Sequence, residues 1–377
     1  MIFNHFNTIN KMKNILLSGI ALMGIMAFAS CSSEEDEANG DQHSDAEAIS
    51  FSTTTDMAGE TRGTTTTTAN ATTQLTNFNV WAYGSAAPND AYYMGSETGN
   101  GIAINRQAGN TWDYSSAADR HFWPGYALNF YAVSPATNAN YTSMTGESFT
   151  YKAPTDNASQ VDVMTAHNES LSKETTTGGV VPLTFEHRLS QIAFSAKTES
   201  SDMTVEIQSI VLHNILDTYT FDLKAGPTGE NTKLGDTYSD YAVGLNGTTE
   251  SPVTVNSAEA KNITADNGVL LLPPQTIKAW TDNTSIDAAN TAQEGYLAIS
   301  CKIKQGNAYL VGSGNSYGTT YVPFGYTWAY GNKYVYTLIF GVGKTHDGGS
   351  SSTPITFSVE VQPWTESSAN NSDIVMP

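Results

Sequence analysis

Cysteine is nearly absent. Cys31 and Cys301 are the only two in 377 residues, too few for a disulfide framework. Basic residues are scarce too: 17 Lys and Arg stand against 37 Asp and Glu, a net charge of −20. Binding a phosphate backbone needs clustered Lys and Arg to displace counterions, so nucleic acid is not an expected partner. Helical periodicity is missing. No long stretch repeats its apolar residues at helical spacing, and one helical turn at Ser116–Phe122 is the most that the pattern allows. The longest apolar run, Ile15–Phe28, is too short for a membrane span.

Catalytic and metal-binding patterns are also lacking. The seven histidines, at 5, 43, 121, 167, 187, 213 and 346, are scattered, and none pairs with Cys, Asp or Glu at metal-ligand spacing. His187 follows Phe185 on an apolar strand and reads as a hydrogen-bonded structural histidine. No Gly-x-Ser-x-Gly elbow occurs. Gly343-Lys344-Thr345 resembles the end of a phosphate loop, but Leu338 holds the upstream glycine position, and a hairpin loop fits better. Carboxylates are plentiful, yet spacing singles out no acid/base pair. No enzymatic activity, metal or cofactor is expected. Cys301 alternates with Leu297, Ile299 and Ile303 and reads as a small core residue.

What the chain does have is 19 Tyr, 14 Phe, 31 Gly and runs of Thr and Asn, a composition that favours strands and turns. Its start is an address. Lys11 and Lys13 precede the apolar run, and Ala29-Ser30 precede Cys31. Residues 1–30 therefore read as a signal peptide. The small residues before Cys31 resemble a bacterial lipobox, which implies lipidation of Cys31 and anchoring to outer-membrane lipid. Residues 31–48, with the acidic run Glu34–Glu37, read as a flexible tether. The run also resembles the export signal of surface-exposed lipoproteins of Bacteroidetes.

One isolated apolar strand follows the tether, with Ile49 and Phe51 on one face, and Arg62 and Gly63 lie just beyond it. Alternating segments then recur to the end, separated by Gly, Asn and Pro clusters. They include 77–83, 128–133, 161–165, 180–187, 191–196, 205–212, 296–304, 333–340 and 355–362. An all-β fold of two tandem antiparallel β-sandwiches is expected, at 49–187 and 188–364, with a tail at 365–377. One large barrel is the alternative. No repeat motif links the two halves.

Several strings, in order, resemble the fimbrillin (Mfa-like) family of Bacteroidetes. They are Thr61-Arg62-Gly63, His121-Phe122-Trp123-Pro124 followed by Leu128–Ala132, Asp162-Val163-Met164, Val181–Leu189, Leu272-Pro273-Pro274-Gln275, Tyr330–Thr337 and Ile355–Trp364. The resemblance implies transthyretin-like sandwiches in a pilus subunit that contributes to adhesion at the cell outer membrane. It also implies that an arginine-specific protease cuts between Arg62 and Gly63. The strand bearing Ile49 and Phe51 then leaves, and a donor strand from another subunit enters.

The same step has a physical account. A sandwich without an edge strand exposes unpaired backbone and an apolar trough, which another chain fills by β-augmentation. Each large anchor contributes about 1.5–3 kcal/mol. On residues alone, Arg62 is equally an ordinary surface arginine. The tail offers only Ile374, Val375 and Met376 as apolar residues, which is short for a donor strand. Stalk, tip and anchor roles, and a host or bacterial receptor, stay open. A second reading is a surface glycan-binding lipoprotein, with Trp112, Tyr114, Trp123, Tyr126, Trp280, Trp328 and Tyr330 as stacking platforms.

Overall fold

A computed structural model describes residues 47–55, 75–108, 111–224, 233–248, 250–266, 268–281, 284–341 and 355–363. Strands dominate and are numbered in chain order. The largest sheet contains β1 (Ser50–Thr55), β2 (Asn77–Gly84), β3 (Tyr92–Met94), β4 (Ile102–Arg106), β5 (Trp112–Tyr114), β6 (Leu128–Ser134), β9 (Met164–Leu171) and β10 (Val180–His187). Its order is β1-β10-β9-β6-β2-β4-β5, with β3 beside β2. The sheet curls until its end strands meet, since the Tyr114 hydroxyl of β5 donates to the Ile49 carbonyl at 3.0 Å. Phe78, Val80 and Ala82 of β2 and Phe130 and Ala132 of β6 face inward, into a core that Ile49 and Phe51 join. Period-two alternation sends Trp81, Tyr83, Tyr131 and Val133 to the opposite face.

That opposite face packs on a four-stranded sheet of β7 (Tyr141–Met144), β8 (Ser148–Lys152), β13 (Thr218–Asp222) and β14 (Lys233–Leu234). Phe149 of β8 stacks on Phe221 of β13 at 4.7 Å between centroids. The remaining strands form two sheets. One orders as β17-β11-β22-β23: β11 (Ser190–Thr198), β17 (Lys261–Asn262), β22 (Asn332–Phe340) and β23 (Ile355–Pro363), with β18 (Leu270–Leu272) also on β11. The other orders as β15-β12-β19-β20: β12 (Met203–Leu216), β15 (Tyr238–Ala242), β19 (Tyr296–Gln305) and β20 (Ala308–Val311). There β16 (Val253–Val255) pairs with β12 and β21 (Gly318–Pro323) with β19. Ile192, Phe194, Val205, Ile207, Leu297 and Ile299 fill the space between them.

The fold is all-β, as expected, with three departures in detail. Two strand pairs are parallel rather than antiparallel: β1 with β10, and β11 with β22. Both join strands far apart in sequence, and a parallel pair requires such a long crossover. Second, the four-stranded sheet takes β7 and β8 from before His187 and β13 and β14 from after it. Its core is continuous with that of the last two sheets, and all described residues belong to one compact unit. Third, the expected strand at 161–165 starts later and becomes β9, because Asp162 turns inward to His187. The expected helical turn is a 3-10 turn at Ala117–Asp119 capped by the Ser116 hydroxyl. A short helix, α1 (Ile286–Thr291), was not anticipated, because six residues are too few to show a period.

Candidate functional site

The site is the seat of β1. Serine and threonine alternate with Ile49 and Phe51 along this strand, so one face is apolar and the other polar. Ile49 is 1% exposed and Phe51 6%. The Phe51 ring meets Phe78, Tyr114 and Phe130 edge-on, with centroids 5.8, 6.1 and 6.3 Å away. Along its length β1 runs parallel to β10, from Ser50 opposite Val180 to Thr55 opposite Phe185. The Thr54 and Thr184 hydroxyls lie 3.1 Å apart across this ladder.

A second set of contacts clamps the start of the strand. The Ile49 amide donates to the His121 carbonyl at 2.9 Å, and the Trp123 amide to the Glu47 carbonyl at 3.1 Å. Ala48 bridges Phe122 in antiparallel sense. The Trp123 indole donates to the Gly179 carbonyl at 3.0 Å. Gly179 has φ +67, and a Cβ there would sit 3.0 Å from the Glu47 carboxyl carbon, so glycine lets the segment approach. Burial pushes the Tyr114 hydroxyl, which donates to the Ile49 carbonyl, up to about 12. The exposed Lys173–Glu47 pair, at 3.6 Å, adds little.

β10 leans on β1. Its ladder with β9 is limited to Glu186 opposite Thr165 and His187 opposite Met164. Between Val180 and Phe185 the ladder partner of β10 is β1, and Asn168 reaches across from β9 to the Pro182 carbonyl at 2.9 Å. Without β1, the inward side chains Val181, Leu183 and Phe185 would face an open trough, next to an unpaired strand edge. The far end of β10 is fixed. His187 Nδ1 bonds the buried Asp162 carboxylate at 2.8–3.0 Å. Arg188 Nε donates to Thr165, and its guanidinium lies 5.2 Å from the Tyr330 ring centroid. His187 is thus a structural residue at the end of the groove strand.

Ile49 and Phe51 are therefore buried together. Cys31, Arg62 and Gly63 lie outside the described residues, as does the tail at 365–377. Most of the candidate stacking platform lies inside. Tyr114, Trp123, Trp280 and Trp328 are 2–8% exposed and fill cores, and Trp112 and Tyr126 pack against the β1 core, whereas Tyr330 is exposed. Tyr114 and Trp123 instead hold the strand. Nothing local in the sequence marks them for that task, since their partners are at Ile49, Glu47 and Gly179. Cys301 is buried on β19, and burial pushes its thiol up to about 12. Among the described residues, no group of three or more His, Cys, Asp or Glu could hold a metal.

A profile described as fimbrillin-like matches residues 61–364. No curated protein matches. Solved structures do. A candidate cell adhesion protein of Bacteroides uniformis shares 13% identity, with 84% of this chain and 98% of that one covered and a TM-score of 0.45. One from Bacteroides ovatus shares 13%, with 86% and 99% covered and a TM-score of 0.48. A fimbrial assembly protein of Parabacteroides distasonis shares 15%, with 84% and 98% covered and a TM-score of 0.40.

Proposed function

Because the chain belongs to the fimbrillin-like family, we propose that it is a structural subunit or accessory component of a cell-surface pilus, assembled by strand exchange at the seat of β1. The observation that carries this reading is β1 itself: a short strand with two buried anchors, paired with β10 alone along its ladder, ahead of Arg62 in the sequence. An arginine-specific protease cuts between Arg62 and Gly63. β1 then leaves, and the trough along β10 accepts a strand from another subunit by β-augmentation. Cys31 carries lipid and holds the precursor at the outer membrane until the cut. Adhesion to a host or bacterial receptor follows from display on the filament.

The test is to treat the purified full chain with an arginine-specific protease. A new Gly63 terminus and denaturant-resistant multimers are expected. Trimmed protein that stays monomeric at high concentration, and binds no partner strand, would sink the assembly mechanism. Mass spectrometry of protein from cells checks the anchor: an unmodified Cys31, or a terminus elsewhere, removes it.

A further inference from the structure

We propose that residues 47–49, together with Tyr114 and Trp123, form a latch that keeps β1 seated after the chain is cut: the strand opens from its Thr55 end, and the latch sets when the groove empties. This concerns the regulation of the site described above and rests on β1 being removable.

The segment 47–55 is held unevenly along its length. Its apolar anchors, Ile49 and Phe51, are buried and lie towards its start. Beyond them Ser52 and Thr54 are exposed and Thr53 is half-buried. Burial of apolar area is the main stabilising contribution to such packing, so the grip on the strand weakens towards Thr55.

The hydrogen bonds are uneven in the same direction. Among the described residues, the bonds that reach this backbone from outside the β10 ladder fall on Glu47 and Ile49. The Ile49 amide donates to the His121 carbonyl, the Trp123 amide to the Glu47 carbonyl, and the Tyr114 hydroxyl to the Ile49 carbonyl. Ala48, between them, bridges Phe122. This end is therefore tied to β5 and to residues 121–123, whereas Ser50–Thr55 is laddered to β10 alone.

Trp123 is the centre of the latch. Its ring meets Phe130 edge-on at 5.8 Å, and its indole donates to the Gly179 carbonyl at 3.0 Å. Gly179 in turn backs onto the Glu47 side chain. The indole bond thus joins the two walls between which Glu47 lies. Tyr114 and Trp123 act as positioning residues: they hold the backbone that leads into β1, and the ladder follows from it.

The position of Arg62 gives this asymmetry its consequence. Arg62–Gly63 lies beyond Thr55, at the weakly held end. A cut there frees that end and breaks none of the latch bonds. A strand gripped at one end frays from the other, as local opening well below the cost of global unfolding. Departure waits for the latch. The trimmed chain therefore stays filled by its own strand for a time set by Tyr114 and Trp123, and its apolar trough and unpaired edge stay covered during that time.

The experiment uses the full chain with a fluorophore ahead of Glu47 and a site for a sequence-specific protease between Thr55 and Leu75, cut only after folding. Release of the labelled piece after dilution is followed by fluorescence anisotropy. Tyr114→Phe removes the hydroxyl and keeps the ring beside Phe51; Trp123→Phe removes the indole N–H and keeps an aromatic ring. Each should release the piece about tenfold faster than the wild type, the effect of one lost buried hydrogen bond. Thr54→Val removes the contact with the Thr184 hydroxyl on the ladder side and should change release by less than about threefold. Hydrogen exchange of the uncut wild type reads the order of opening without any variant. The slowest of the Ser52–Thr54 amides should exchange at least about tenfold faster than the Ile49 amide.

If the Ile49 amide exchanges together with Ser52–Thr54, β1 opens as one unit and the latch is overturned while the removable strand stands. Release as fast as cutting, wild-type rates in both latch variants, or equal acceleration by Thr54→Val overturns it too. If the labelled piece never leaves, in the wild type or in either latch variant, the removable-strand reading fails and the latch fails with it.

Discussion

Phe51→Ala tests whether β1 is a separable part of the fold. The ring is 6% exposed and is surrounded by Phe78, Tyr114 and Phe130. Truncating a buried phenylalanine costs about 3–5 kcal/mol, and the lower end applies where neighbouring rings can relax into the space. β1 is laddered to β10 alone and clamped only at Glu47–Ile49. The loss should therefore appear as local opening of β1, ahead of global unfolding. A weakening of about 3 kcal/mol corresponds to roughly a hundredfold rise in the open population. Hydrogen exchange of the full chain, read by mass spectrometry, measures it. Peptides covering 49–55 and 180–187 should exchange about a hundredfold faster, while those covering β11 and β22 keep their wild-type rates. The reasoning is refuted if 180–187 changes by less than about threefold. It is equally refuted if β11 and β22 accelerate to the same extent, because β1 would then be an ordinary member of one cooperative core.

Three further outcomes follow from other parts of the molecule. Asp217 is 1% exposed and accepts from the hydroxyls of Thr218 (2.7 Å), Ser239 (2.8 Å) and Thr237, with Lys152 at 3.5 Å. Asp217→Ala should lower stability by about 2–3 kcal/mol, since bonds to a charged group are among the stronger ones, and a thermal melt reads the loss. Gly268 lies so close to Gly244 that a Cβ would sit 2.0 Å from the Gly244 carbonyl oxygen. Gly268→Ala should cost about 3 kcal/mol or more, and a melt unchanged within a degree or so would contradict that packing. The Glu294 carboxyl is lowered from 4.5 to about 2, first by the hydrogen bond from Lys278 and then by the bonds from Thr281. A depressed carboxyl stabilises the fold above its unfolded value and loses that contribution as pH falls towards 2. The wild type should therefore lose more stability between about pH 5 and pH 2 than Glu294→Gln, and parallel acid titrations of the two would rule this out.

Much of the groove strand was legible from residues. Ile49 and Phe51 stand out because they interrupt an acidic and Thr-rich stretch with a period of two, and both are buried as that pattern implies. The clean alternation at Ile192–Phe194 and at 333–340 likewise became β11 and β22. The hairpin of β7 and β8 was missed. Phe149 and Tyr151 do alternate there, but the strand holds five residues and its main partner, β13, comes from the other side of His187. Most of the candidate stacking aromatics turned inward for a related reason. An aromatic side chain carries no local mark that distinguishes a core filler from a surface platform, and Tyr114 and Trp123 proved to be buried donors to the β1 segment and the loop beside it. Asp217 and Glu294 were not singled out at all, because their hydroxyl and lysine partners come from several strands and loops.

Sequence alone determined the all-β character, the apolar strand at 49–53 and the kinship with the fimbrillin-like family. Each of these is written in neighbouring residues, as alternation, turn signals or short strings in order. Tertiary structure alone decided that β1 lies parallel to β10, that β11 lies parallel to β22, and that one sheet draws strands from both halves. Alternation fixes which face a side chain takes, but the choice of partner strand depends on closing loops of more than a hundred residues, and no local pattern encodes that closure.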